Sequence, residues 1–332
     1  MTPAFAPGEG PIAPPANSEA PRASEPVAPV IHNARIIRIR RVIIAPSGHW
    51  TVGTAAWLLD PTNCPLAGVS AVRRFCPGQG ILGPMVYFLI PAYDEEATIG
   101  LLLYKIRQVM RNVRRDYLAI VLDDGSSDAT SELAERYRRF LPVRVLRHNE
   151  NRGIGPSLDR LVREAVRLSQ YPERDVAISI EADFTWSPAA VPEMVHQIEA
   201  GSDIVIGART HPDSEVHGVS RAKRVTTRVV EGVLRAVMPL RNVTDYGSTF
   251  RAYRIGTLKR AVAGYQENLI TARDAAANVE LLLRLGRFHP AIVEIPVDYR
   301  EDTRSRPSRH RWTMTIRNQL ALTGRVERVA AP

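Results

Sequence analysis

Carboxylates gather at the ends of apolar, strand-like runs. The stretch VAISIEADFTWSP, residues 176–188, alternates small and β-branched residues and then delivers Glu181 and Asp183; VLDDGSSDAT delivers Asp123 and Asp124. FLIPAYDEEATIG places Pro91, Tyr93 and Glu95 at the end of a third run, and DIVIGART ends on Arg209. Acids so placed repel a phosphorylated ligand unless a divalent cation or a hydroxyl-rich sugar stands between them. Arginine offers a planar fork matched to phosphate oxygens. A phosphorylated ligand approached through a divalent cation, or a hydroxyl-rich sugar, would each rationalise acids so placed.

The elements that must position these groups follow from periodicity. MVYFLI, YLAIVL, VRVLR, DVAISI and DIVIGA read as strands, and between them lie helical patterns with apolar residues three and four apart: EEATIGLLLYKIRQVM, SDATSELAERYRRF, PSLDRLVREAVRLSQ and PAAVPEMVHQIEA. Such alternation predicts an α/β fold with a largely parallel sheet covered by helices on both faces. In sheets of this kind ligands bind beyond the carboxyl ends of the strands, which is where the acids fall. Asp94, Glu95 and Glu96 also suit a helix N-terminus without any ligand, and Ser127 or Asp128 suits the start of the next helix.

Of 332 residues, 44 are Lys or Arg and 35 are Asp or Glu, a net charge of +9. That balance admits nucleic acid, an anionic membrane surface or a phosphorylated substrate as partner. Acids at the strand ends speak against a nucleic-acid backbone. No apolar run reaches the roughly 18–20 residues that span a bilayer, and the first thirty residues lack the pattern of a signal peptide, so cytoplasmic residence is the expectation. Residues 1–30 hold eight of the 25 prolines and read as disordered. Residues 1–84 as a whole read as a disordered or loosely attached extension, with Met85 as a conceivable natural start. Residues 85–300 form the regular domain, and 301–332 a basic loop with a C-terminal helix. Cys64 and Cys76 read as plain thiols.

Taken in order, these motifs resemble the family 2 glycosyltransferases of the GT-A nucleotide-diphospho-sugar transferase fold, and within them the polyprenyl-phosphate sugar transferases. The resemblance covers about residues 85–300. It implies that Pro91, Tyr93 and Glu95 line the nucleoside pocket and that Asp123 or Asp124 contacts the base. NRGIGPSL is similar to the family's Asn-x-Gly-x-Gly loop at Asn151, Gly153 and Gly155, where glycines for a tight turn explain the pattern equally well. EADFTW stands where the family has Asp-x-Asp, which makes Asp183 the implied Mg²⁺ or Mn²⁺ ligand. Glu181, the other implied acid of the metal site, departs from that pattern by one methylene, which places a metal-bound water or a ribose hydroxyl within its reach instead of direct ligation.

Arg209 matches a family arginine associated with phosphate. VTDYGSTFRAYR resembles the acceptor-side motif, implying Asp245 near the anomeric centre and Ser248 and Arg251 near acceptor phosphate. Arg304 and Arg306 would supply charge in the basic loop after EIPVDY. The implied reaction is metal-dependent, inverting transfer from a UDP- or GDP-sugar to a polyprenyl phosphate. A soluble small-molecule acceptor is the alternative, and it would require a carboxylate such as Asp245 to take the proton. The basic helix HGVSRAKRVTTRVVEGVLRAVMPL suits either a membrane interface or an ordinary surface.

Overall fold

The structure is a computed structural model that describes residues 40–44, 50–54 and 83–304. The chain divides into two units, Met1–Pro65 and Leu66–Pro332. In the first, β1 (Arg40–Ile44) and β2 (Trp50–Thr54) pair as an antiparallel hairpin with Val42 opposite Val52. The expectations for residues 1–39, the two cysteines, Arg306 and the C-terminal helix lie outside the described residues.

The second unit is built on β3 (Met85–Ala92), β4 (Asp116–Asp123), β5 (Val143–Arg147), β6 (Val176–Ser179), β7 (Ile204–Gly207), β9 (Arg251–Arg254) and β10 (Ile292–Ile295). Their order across the sheet is β10-β7-β9-β6-β3-β4-β5. β3 lies inside the sheet, between β6 and β4, and is apolar on both sides. Tyr87 and Leu89 join the core on one face, while Val86, Phe88 and Ile90 join the core on the other. Helix α1 (Ile99–Met110) packs with Val86, Phe88 and Ile90 through Ile99, Leu102, Leu103 and Ile106; α3 (Ile154–Leu168) packs on the opposite face through Leu158, Leu161, Val162 and Ala165. Spacings of three and four put each set on one side of its helix. The remaining helices are α2 (Thr130–Tyr137), α4 (Val191–Glu199), α5 (Arg221–Val237), α6 (Ile255–Tyr265) and α7 (Ala276–Gly286).

The architecture is the GT-A arrangement expected, with one addition that alternation alone does not reveal. β9 is antiparallel and lies between β6 and β7, pairing Ser179 with Arg251 on one side and Ile206 with Arg251 on the other. Its four residues come from the end of VTDYGSTFRAYR, whose preceding half is an irregular loop. β3, β4, β6 and β7 therefore all present their carboxyl ends on the same edge. A separate parallel ribbon joins β8 (Glu215–His217) to β11 (Asp298–Arg300), and a 3-10 turn, Glu301–Thr303, follows it.

Two glycines illustrate how local chemistry is dictated. A Cβ on Gly155 would lie 1.7 Å from the Ala272 carbonyl oxygen, whereas one on Gly232, in α5, meets nothing within 4 Å. Gly155→Ala is expected to cost about 2–3 kcal/mol by overpacking. Gly232→Ala should instead stabilise by roughly 0.5–1 kcal/mol through helix propensity. Urea denaturation of both variants checks the contrast, and equal effects would contradict the packing described.

Candidate active site

The strand-end loops are first tied to one another. Asp94, in the left-handed region at φ 53°, accepts from Ser127 N at 2.7 Å, while its own N–H donates to Ser126 Oγ at 2.9 Å. Glu95 N donates to Thr130 Oγ1 at 2.7 Å, and Asp128 Oδ1 accepts from Thr130 N at 3.0 Å at the start of α2. Part of the acidity of DEE and SSD thus joins the β3–α1 and β4–α2 loops. Glu95 also accepts from Thr98 Oγ1 at 2.8 Å, and its charge is felt at Glu181. Tyr93 and Pro91 are half-buried beside it.

Both members of the Asp pair are inside. Asp123 accepts from Ser126 N at 2.9 Å and faces Arg147 Nε at 3.2 Å. Asp124 meets His148 Nδ1 at 2.6 Å and accepts from Arg152 N and Gly153 N at 3.1 and 2.8 Å. Asp124 therefore holds the NRGIG loop, and Gly153, at φ 95°, lets that loop approach Arg273. The glycines serve a turn into α3 pressed against the 272–273 backbone.

Glu181 and Asp183 do converge. Asp183 Oδ1 accepts from Thr185 N and Oγ1 at 3.0 and 2.8 Å, which fixes the carboxylate and aims Oδ2 outward. Arg304, just past the 301–303 turn, donates to that Oδ2 from Nε at 2.7 Å and lies 2.6 Å from it through Nη2. The same Nη2 is 3.7 Å from Glu181 Oε2. Burial would lower the Arg304 pKa, but the two carboxylates hold it well above the ordinary arginine value. The Glu181 carboxyl is pushed up to about 7, first by desolvation at the floor of the cleft and then by Asp183, with Arg304 and Arg209 pulling it down. Two carboxylate oxygens converging on one cationic group form an oxygen-only donor set suited to Mg²⁺ or Mn²⁺. The longer Glu181 side chain approaches the same guanidinium as Asp183, although less closely.

Burial corrects three expectations. Asp245, Ser248 and Arg251 have no exposed surface. Arg251 donates to Asn278 O and Tyr246 O, each at 2.6 Å, and Ser248 Oγ donates to Gly207 O at 2.7 Å. These two brace the DYG loop against β7 and α7, and neither faces an acceptor. Asp245 accepts from Arg209 Nε and Nη2 at 2.9 and 2.6 Å and from Arg209 N at 2.9 Å. Burial alone would raise the Asp245 carboxyl; the bonded guanidinium more than offsets this and holds it below the ordinary carboxylate range. Arg209 in turn lies 5.7 and 5.6 Å from the ring centroids of Trp186 and Tyr299. Its fork is thus taken up by Asp245 rather than turned toward a phosphate.

Four residues escaped notice in the sequence. Glu294 accepts from Thr244 N and Asp245 N at 2.6 and 2.9 Å, and Glu231 accepts from Tyr246 N and Gly247 N at 2.6 and 2.9 Å. Trp186 and Tyr299 clamp Arg209. Glu231 had a readable signal, because it stands with Val230 and Leu234 on the inward face of α5. Among the described residues, Glu215, His217 and Asp298 also bring ligand atoms within 4.8 Å of one another on the β8–β11 ribbon, with Glu215 and His217 exposed. No helix among the described residues is long and apolar enough to cross a membrane.

A mostly parallel sheet with paired acids beyond one strand and a clamped arginine beyond the next places the chain in a recognised class. The model of glycosyl transferase family 2 matches residues 87–261, and the chain belongs to that family. Among its relatives, the dolichol-phosphate mannosyltransferase of Pyrococcus furiosus is 27% identical over 215 residues, 64% of this chain and 56% of the relative. The undecaprenyl-phosphate 4-deoxy-4-formamido-L-arabinose transferase of Pseudomonas fluorescens is 25% identical over 218 residues, 65% of this chain and 57% of the relative. The chain thus matches little more than half the length of these curated relatives. In fold it is similar to glucosyl-3-phosphoglycerate synthase of Mycobacterium tuberculosis, solved with Mn²⁺, UDP and phosphoglyceric acid. That likeness has a TM-score of 0.52 at 23% identity, over 74% of this chain and 80% of the other.

Proposed function

We propose that this protein transfers a glycosyl group from a UDP- or GDP-sugar to a polyprenyl phosphate, with Mg²⁺ or Mn²⁺ held by Asp183 and Glu181. A bond forms between an acceptor phosphate oxygen and the anomeric carbon as the bond from that carbon to the diphosphate breaks. When bound, the cation offsets the charge that develops on the departing diphosphate. Pro91, Tyr93 and Glu95 border the donor from the β3 side. The observation that carries the choice of acceptor is the burial of Asp245. A hydroxyl acceptor needs a base, and the acid nominated for that task is enclosed and neutralised by Arg209. A phosphate acceptor is already anionic near neutral pH, given a second pKa of about 6, and needs none.

A membrane-resident acceptor fits a second feature. On α5, Val225, Val229 and Val233 are 59%, 61% and 39% exposed, beside exposed Arg221, Arg224 and Arg228. An apolar stripe flanked by cations suits peripheral contact with an anionic bilayer on its cytoplasmic side. Labelled UDP- and GDP-sugars incubated with Mn²⁺ and undecaprenyl phosphate in phosphatidylglycerol vesicles should yield organic-extractable label. Transfer to water-soluble acceptors alone would overturn the acceptor assignment. In co-sedimentation, the double variant Val225→Asp/Val229→Asp should bind the same vesicles about tenfold more weakly, reflecting two lost apolar contacts. Unchanged binding would remove α5 from the membrane face.

A further inference from the structure

We propose that Arg304 is an internal counter-cation of the acidic pair, a group that a divalent ion must displace before it can bind. The inference rests on the metal reading of Asp183 and Glu181 given above. Both Nε and Nη2 of Arg304 converge on one oxygen, Asp183 Oδ2, at 2.7 and 2.6 Å, and Nη2 extends toward Glu181 Oε2 at 3.7 Å. Asp183 Oδ1 is already taken by Thr185, so Oδ2 is the oxygen left for any cation. A guanidinium and a dication cannot share it, because like charges at contact distance repel strongly in a recessed site.

The turn that carries Arg304 is fastened on two sides. Thr303 Oγ1 donates to Phe184 O at 3.0 Å, within the Asp183 loop itself, and Glu301 is paired with Lys223 at the start of α5. Arg300 N donates to Thr185 O at 2.8 Å. With the turn so fastened, release of Arg304 needs only rotation of its side chain. The freed fork then stands beside the cation, where a diphosphate would lie, and phosphate is its natural partner. Arg304 thus links arrival of the metal to availability of a phosphate ligand.

Electron paramagnetic resonance titration of Mn²⁺ into the full chain, without nucleotide and at fixed ionic strength, tests this. Arg304→Gln should tighten Mn²⁺ binding about tenfold, the order of one hydrogen bond to a charged group. Arg304→Lys, which keeps the charge but loses the fork, should tighten it by roughly two- to threefold. Asp183→Asn should remove binding at this site in every background. If Asp183→Asn abolishes binding while both Arg304 variants match or fall below the parent, the counter-cation inference is overturned and the metal reading stands. If Asp183→Asn leaves Mn²⁺ binding unchanged, the metal reading fails and takes the inference with it.

Discussion

Asp183→Asn is expected to lower kcat by about two to three orders of magnitude at saturating donor and Mn²⁺, the usual scale for losing one preorganised electrostatic contact to a transition state. The fold should tolerate the change. Asparagine keeps an oxygen where Thr185 N and Oγ1 donate, at 3.0 and 2.8 Å, so the loop after β6 retains its anchor. What is lost is the charge on the second oxygen, the one that faces Arg304. Glu181→Gln should be milder, about tenfold, because Glu181 stands farther from the same cationic position, at 3.7 Å. Initial rates paired with thermal melts separate the two kinds of effect. A variant at position 183 with parental rate would exclude the residue from the chemistry.

The second large effect concerns stability. Arg209→Ala should destabilise the domain by about 3–5 kcal/mol, since it strands the fully buried Asp245 carboxylate without its counter-ion. For a domain of this size each kcal/mol corresponds to roughly 2–4 °C in Tm. Loss of the guanidinium also empties the space beside Trp186 and Tyr299. The double change Arg209→Met/Asp245→Leu should recover much of the loss, because it removes both charges together. The pH dependence has a definite sign. Asp245 is held below its ordinary value of 3.8, so its contribution is present above that pH and disappears as acid protonates the folded carboxylate. Urea unfolding of the single and double variants checks this, and a single variant as stable as the parent would refute the pairing.

The sheet and its helices were legible because β3, β4, β6 and β7 write their burial as apolar runs, β5 alternates as VRVLR, and the helices show three-and-four spacings. The place of the site was legible too, through the rule that ligands gather beyond strand ends. What sequence alone misjudged was orientation. Asp245, Ser248 and Arg251 carry polar groups in a phrase similar to a known acceptor motif, yet their residue types say nothing of whether they face in or out. An arginine whose guanidinium bonds only main-chain carbonyls, as Arg251 does to Asn278 and Tyr246, looks identical in sequence to one that binds phosphate. The same limit hid Glu294, whose carboxylate serves the backbone of the DYG loop from the distant strand β10, whereas the inward place of Glu231 on α5 was readable but its partners, Tyr246 N and Gly247 N, were not. Glu181 was singled out as an irregular member of its pair, and it is the one whose carboxyl is pushed up to about 7 by desolvation and by Asp183.

The antiparallel strand β9 has a consequence for the order in which this molecule can be assembled. β6 and β7 share no hydrogen bonds with each other; β6 pairs with β3 and β7 with β10, and the two are joined through β9, whose residues Arg251–Arg254 follow Ser179 by some seventy positions in the chain. Until that segment has left the ribosome, the half-sheet ending at β6 carries an unpaired edge, and the two halves of the cleft have no common frame. β9 is in that sense a keystone. Asp183 and Arg209, which belong to opposite halves, reach their working separation only when it is set.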